Sequence, residues 1–300
     1  GGIVTTYGDI VNETLLSLTG YTNRQDQATS LSSALSSTAL TLSVSDGTVL
    51  SRGLIEIDDE LLWVDSFNRT TNTATIAPYG RGFRDTTAAT HSAGSRITVA
   101  PSFPRSVIAR NINNAIDAVY PDLFGVYYTT FPFIASRTTY VLPQEAIDVL
   151  GMSWQTIGPS LEWLPVRRYR VDRMANPVTW NSGKTISVMD GIIPGRTVMV
   201  TYSKKPTRLE NMTDDFHAVT GLPDSAREVI VLGAAYRTAA FLDLGRVPTA
   251  SAEADAVQGT DPIGSAANIS KFMYQLYQQR LLSEVRTQQE QYPPRTHYTR

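Results

Sequence analysis

The spacing of apolar positions changes period along the chain, and each change marks an element. Val11, Leu15 and Leu18 recur at helical spacing and predict a helix over Tyr7 to Leu18, with Gly20 as a left-handed stop. Residues 21–38 are rich in Ser and Thr, poor in large apolar side chains, and read as a linker crossing the surface. From Ala39 the period is two. Leu40, Leu42 and Val44 alternate with Thr41, Ser43 and Ser45, and Asp46-Gly47 makes a turn. Leu54-Ile55-Glu56-Ile57 and Leu61-Leu62-Trp63-Val64 flank Asp58-Asp59-Glu60, which predicts a hairpin whose charged tip stays in water. Ala74 to Ile76 and Ile97 to Val99 add further short strands, the pattern of a small barrel or sandwich.

Helical spacing returns at Ile108, Ile112, Ala115, Ile116 and Val119, and Pro121 marks the end of that helix. A second β-region runs from Val126 to about Lys205. It holds Thr139-Tyr140-Val141-Leu142-Pro143, Trp163 to Val166, Tyr169 to Val171 and Val198 to Tyr202. Pro223 suits the first turn of a helix whose apolar face is Ala226, Val229, Ile230, Gly233, Ala234, Phe241 and Leu244, with Gly245 as its stop. A loop of small and polar residues leads to the last helix, about Ser265 to Glu290, which carries Ile269, Phe272, Met273, Leu276, Tyr277, Leu281 and Val285. Tyr292 to Arg300 has no core pattern and reads as an extended tail.

These elements give an α+β fold. Each of the four amphipathic helices must bury one apolar face. The economical arrangement is a four-helix bundle assembled from N- and C-terminal segments, at 1–20, 101–125 and 206–291. Set into it are a small β-barrel-like module at 39–100 and an antiparallel β-sandwich at 126–205, with the tail at 292–300.

Composition narrows the function. The chain has 300 residues, 42% of them hydrophobic and only 18% charged, with a net charge of −2. That balance gives no global attraction to nucleic acid or to a membrane surface. Cysteine is absent, which removes disulfide and thiolate chemistry. Gly1-Gly2-Ile3-Val4 is not a charged region leading into an apolar run, so no signal peptide is expected. The most apolar window, Val229 to Leu244, is interrupted by Arg237 and Asp243 and reads as a buried helix, not a membrane span.

The search for chemistry returns little. His91, His217 and His297 are scattered and form no ligand pair at helical spacing, so no metal or other cofactor is expected. No nucleophile elbow is present. Gly80-Arg81-Gly82 resembles part of a phosphate loop, but Asp85 stands where a third glycine is needed. Asp58, Glu60 and His91 are the best residues for an enzyme, for instance a hydrolase. Arg167, Arg168, Arg170 and Arg173 make a basic cluster. In a strand they divide between both faces, which suits pairing with acids of a neighbouring subunit better than tracking a phosphate backbone. Trp154, Trp163 and Trp180 suit the aromatic core of a sandwich better than a sugar platform. A chain of this size without a catalytic constellation is expected to work by its surfaces, as a structural protein and not an enzyme.

The order of helices and β-module resembles the head–tail adaptor proteins of tailed bacteriophages, in particular the tubular adaptors below the portal. The local likeness lies in Tyr140-Val141-Leu142-Pro143, Val149, Trp163, the strands Thr185 to Val188 and Val198 to Tyr202, and Leu222-Pro223 leading into an Ala-rich helix. Ile55 to Gly94, with Arg81-Gly82 and Thr87 to Gly94, looks like a β-insert of phage virion proteins. The extra β-module at 39–100 departs from the minimal adaptor. The resemblance implies a virion structural protein made in the host cytoplasm. It implies a homo-oligomeric ring of about twelve copies that joins the portal protein to tail or nozzle proteins. Genomic DNA would pass through the lumen without sequence-specific binding. Portal docking is expected of Tyr292, Pro293, Pro294, Arg295, Tyr298 and Arg300, and subunit contacts of Arg167, Arg168, Arg170 and Arg173. The alternative is a tail or baseplate component that binds receptor or fibre proteins, with Trp154 and Trp163 touching sugars.

Overall fold

The computed structural model describes residues 4–20, 26–158, 161–240 and 266–293. The chain divides into two compact units, each made of segments distant in sequence. One takes in 8–114 and 230–277, the other 1–7, 115–229 and 278–300.

The first unit is built on six antiparallel strands: β1 Gln27–Ser30, β2 Thr41–Ser43, β3 Gly53–Ile57, β4 Glu60–Asn68, β5 Thr73–Ile76 and β6 Arg96–Val99, in the spatial order β1-β6-β3-β4-β5-β2. The sheet closes on itself. Leu31 bridges Val44, with Ser32 N–H donating to Ser43 O and Ser45 N–H to Ser30 O, both at 2.9 Å. Closure leaves this barrel without an open edge along β1 and β2. Its core includes Leu31, Leu35, Leu42, Val44, Leu50, Ile55, Ile57, Leu62, Val64, Ile76, Ile97 and Val99. Each of these larger side chains contributes about 1.5–3 kcal/mol of burial. Helix α1 (Tyr7–Thr19) precedes the barrel and α2 (Arg105–Ala118) follows it.

The second unit holds two facing sheets. One is β10-β9-β13-β7, built from β7 Gly125–Pro132, β9 Asp148–Gln155, β10 Trp163–Pro165 and β13 Thr197–Lys204. The other is β11-β12-β8, built from β8 Thr139–Val141, β11 Tyr169–Asp172 and β12 Thr185–Val188. All pairings are antiparallel. The core between them is Phe133, Tyr140, Leu142, Met152, Val166, Ile186, Val188, Ile192, Val198 and Val200. Tyr140 stacks on Phe131 with ring centroids 4.0 Å apart, and its hydroxyl donates to Arg137 O while accepting from Ile134 N–H at 2.8 Å. After β13 come the short α3 (Phe216–Thr220), a helical stretch α4 at 227–240 where description stops, and α5 (Ala266–Gln291). Phe241, Leu244 and Gly245, assigned to the face and stop of α4, lie outside the described residues.

The expected four-helix bundle does not form. Both units are built on antiparallel sheets, and only 29% of the protein is helical. The boundary between the units runs through α2 and α5, so helical segments are shared between two β-containing units. An apolar helix stripe shows that a face is buried but not what covers it, and it does not by itself specify a bundle. Of residues 21–38, expected as a surface linker, the described part carries β1 and places Leu31 and Leu35 in the barrel core.

Candidate functional site

The densest polar chemistry sits in the barrel. β3 and β4 pair through Ile57 and Glu60, leaving a two-residue turn at Asp58-Asp59 with Asp58 at φ 51°. Strand alternation then puts Glu60 on the same face as Leu62 and Val64, which is the core face. Glu60 is therefore buried, not solvated at a hairpin tip as the sequence suggested, while Asp58 and Asp59 are exposed.

Glu60 accepts five hydrogen bonds. Arg81 Nε and Gly82 N–H donate to Oε1 at 2.8 and 2.9 Å. Arg81 Nη2, Ala89 N–H and His91 Nε2 reach Oε2 at 3.1, 3.0 and 2.8 Å. Burial alone would push its carboxyl up. The hydrogen bonds from Arg81, Ala89, Gly82 and His91 outweigh burial and hold it at about 2. Arg81 spends its remaining donors on backbone oxygens, at Ser36 (2.6 Å), Ala39 (2.8 Å) and Ala89 (2.7 Å). His91 completes the cluster. Its Nδ1 lies 2.7 Å from Asp58 Oδ2, so the ring spans the two carboxylates.

This order of Asp58, His91 and Glu60 has the look of a proton relay, but both carboxylate oxygens of Glu60 are already engaged by Arg81, Gly82, Ala89 and His91. The cluster is a clamp. It fastens the 36–39 segment and the 81–91 loop to the β3–β4 hairpin. The glycines serve the same clamp. A Cβ at Gly80 would lie 2.6 Å from Trp63 O, and one at Gly82, with φ 56°, would lie 2.8 Å from Thr86 O. The Gly-Arg-Gly step is thus a close-packing device and not a phosphate cradle.

Beside the clamp, Asp26, Glu56, Asp58, Asp59, Arg96 and Arg105 line a cavity of about 860 Å³. Burial pushes the Glu56 carboxyl up to about 7; the Arg105 N–H, donating at 2.7 Å, opposes that, and Asp59 and Asp26 reinforce it. Among the described residues no group of three or more His, Asp or Glu side chains is arranged to hold a metal ion, and no helix is long and apolar enough to cross a membrane.

The predicted contact residues lie in the other unit. Of the arginines, only Arg170 is within a strand, β11. Arg168 pairs with Asp190 at 3.0 Å and Arg173 pairs with Asp148, both in the same chain. Arg167 and Arg170 are exposed and show no ion pair among the described residues. Tyr292 and Pro293 line a cavity of about 640 Å³ together with Tyr120, Phe124, Val149 and Val171; Tyr292 also lies 6.3 Å from the Phe124 ring. Pro294, Arg295, Tyr298 and Arg300 lie outside the described residues. Trp154 is half-buried against the sandwich core, Trp180 is half-buried with the Arg137 guanidinium 5.4 Å over its ring, and Trp163 is exposed. The expectation of a shared buried aromatic core for the three is corrected accordingly.

A barrel locked by a saturated ion cluster is thus joined in sequence to a sandwich with exposed edge strands. The sequence profile of the family described as SU10 adaptor protein matches residues 81–297. The chain belongs to that family, a family of phage structural adaptors. Membership implies a place in the virion and contact with other virion proteins. The match covers the sandwich and α2 to α5, while β1 to β5 precede it. No curated protein matches the chain.

Proposed function

We propose that the protein is a head–tail adaptor that forms a homo-oligomeric ring between portal and tail and lines the passage for DNA. One observation carries this reading: the adaptor-family match runs unbroken through the sandwich and the helices that follow it. The chemistry agrees, since the best-formed polar cluster is closed on itself and serves to hold loops in place. A net charge of −2 also suits a conduit, because a strongly basic lumen would retain DNA through its phosphates.

Within this reading Tyr292 to Arg300 is the portal-docking segment, starting from the cavity that Tyr292 and Pro293 line. Arg167 and Arg170, exposed and without ion pairs in their own chain among the described residues, are the members of the arginine cluster available to a neighbouring subunit. The test is to mix purified protein with purified portal rings and weigh the product. A discrete complex with many copies per portal supports the reading, and two components that migrate separately at all concentrations refute it.

A further inference from the structure

The four-stranded sheet has two open edges, β7 and β10, and they differ. β10 is three residues long and contains Pro165, the usual way an edge is blunted. β7 is eight residues long, Gly125-Val126-Tyr127-Tyr128-Thr129-Thr130-Phe131-Pro132, with no charged side chain and no bulge against β13. Such an edge invites another strand.

The ladder fixes which groups are on offer. Phe133 exchanges both backbone bonds with the Arg196 turn, and Val126 N–H donates away from β13 to Gly221 O at 2.9 Å. Val126, Tyr128, Thr130 and Pro132 therefore point their backbone groups outward. Val126 N–H is taken and Pro132 has none, so the outward donors are those of Tyr128 and Thr130. On β10, Thr156 N–H to Glu162 O and Val166 N–H to Met152 O turn the even-numbered residues toward β9. Trp163 and Pro165 then face outward, offering one donor and two acceptors.

We propose that β10 of a second copy pairs with β7, with Trp163 opposite Thr130 and Pro165 opposite Tyr128. Trp163 and Thr130 exchange both bonds, and Tyr128 N–H donates to Pro165 O. A shift two residues either way meets the occupied Val126 N–H or the missing donor of Pro132, so this register is favoured.

Direction and facing also fit. Three successive antiparallel pairings make β10 antiparallel to β7 within one copy, so a copy carried round a ring arrives antiparallel without being turned over. The register runs Pro165 to Ser153 to Met199 to Thr130, which puts Trp163, Pro165, Tyr128 and Thr130 on one face of the sheet. The faces of adjoining sheets therefore match. The arriving edge brings exposed Ile157, Leu161, Trp163 and Leu164, and meets Tyr128, which is 71% exposed.

The inference rests on the ring reading above, and the experiment separates the two. Thr130→Pro removes an outward donor and leaves the β13 ladder intact. Because the chain has no cysteine, Thr130→Cys with Trp163→Cys can report the pairing as a disulfide between copies. Wild type, both single-cysteine variants, the double variant and Thr130→Pro are assembled on portal rings. Support is a cross-linked ladder from the double variant alone, with at least a tenfold loss of rings in Thr130→Pro at unchanged circular dichroism. Rings from Thr130→Pro with no ladder from the double variant overturn the edge pairing and leave the ring reading standing. Dimers from Thr130→Cys alone indicate a two-fold β7–β7 contact and also overturn it. Wild type that forms no rings removes both.

Discussion

Arg81 and Glu60 form a two-point ion pair inside the barrel, with Arg81 Nε 2.8 Å from Glu60 Oε1 and side chains only 8% and 0% exposed. Around it converge two other stretches of chain, so its loss is more than the loss of one contact. Arg81→Met leaves a buried carboxylate without its guanidinium and removes the side-chain ties to the Ser36, Ala39 and Ala89 oxygens. The expected cost is about 3–5 kcal/mol, read as a fall in urea midpoint. Replacing both partners, Glu60→Leu with Arg81→Met, does not restore stability, because Gly82 N–H, Ala89 N–H and His91 Nε2 lose the carboxylate they share.

Two acids give the barrel opposite pH dependences. Glu60 is held at about 2 against a usual 4.5, so its contribution is complete above pH 4.5 and is lost as pH falls toward 2. Glu56 is raised to about 7, so the folded state holds its proton more tightly and stability rises as pH falls from 7 to 4.5. Between them these two acids favour an intermediate pH, Glu60 shaping the acid limb and Glu56 the limb toward neutral pH. Melting curves from pH 2 to pH 8 check this. Glu56→Gln should flatten the upper limb alone and raise the melting temperature at pH 8.

In the sandwich unit, Gly221 ends α3 in the left-handed region at φ 69°, and its N–H closes the helix on His217 O. A Cβ there would stand 2.7–2.8 Å from the Tyr127 ring and 2.8 Å from Val126 N. Gly221→Ala combines backbone strain with that clash and is expected to lose about 2 kcal/mol or more by thermal denaturation.

How far the sequence could be read depends on what each pattern encodes. The β3–β4 hairpin was legible because Ile55, Ile57, Leu62 and Val64 alternate around a short polar turn. The same alternation, carried one step further, puts Glu60 in phase with Leu62. Treating the three acids as one solvated tip hid this, and the partner Arg81 is 21 positions away, beyond any local pattern. The barrel's first strand was illegible for a different reason: Gln27–Ser30 has no large apolar side chain, and its place is set by β6 and by closure onto Val44. Helices were legible one by one, but their apolar stripes carry no label for the surface that covers them. The arginines kept their chemistry while Arg168 and Arg173 found acids within their own chain.

Removing residues 294–300, while keeping Tyr292 and Pro293 in their cavity, should leave the melting temperature within about 1 °C and weaken binding to the portal at least tenfold. Binding measured on immobilised portal rings reads this directly. Unchanged affinity would assign portal docking to another surface.

Electron cryomicroscopy of the head–tail junction in the virion that carries this chain tests the central claim most directly. The account predicts a closed ring of copies between portal and tail, each fitted by the β1–β6 barrel and the β7–β13 sandwich. Density for the chain at the distal end of the tail, or none at the junction, would contradict it.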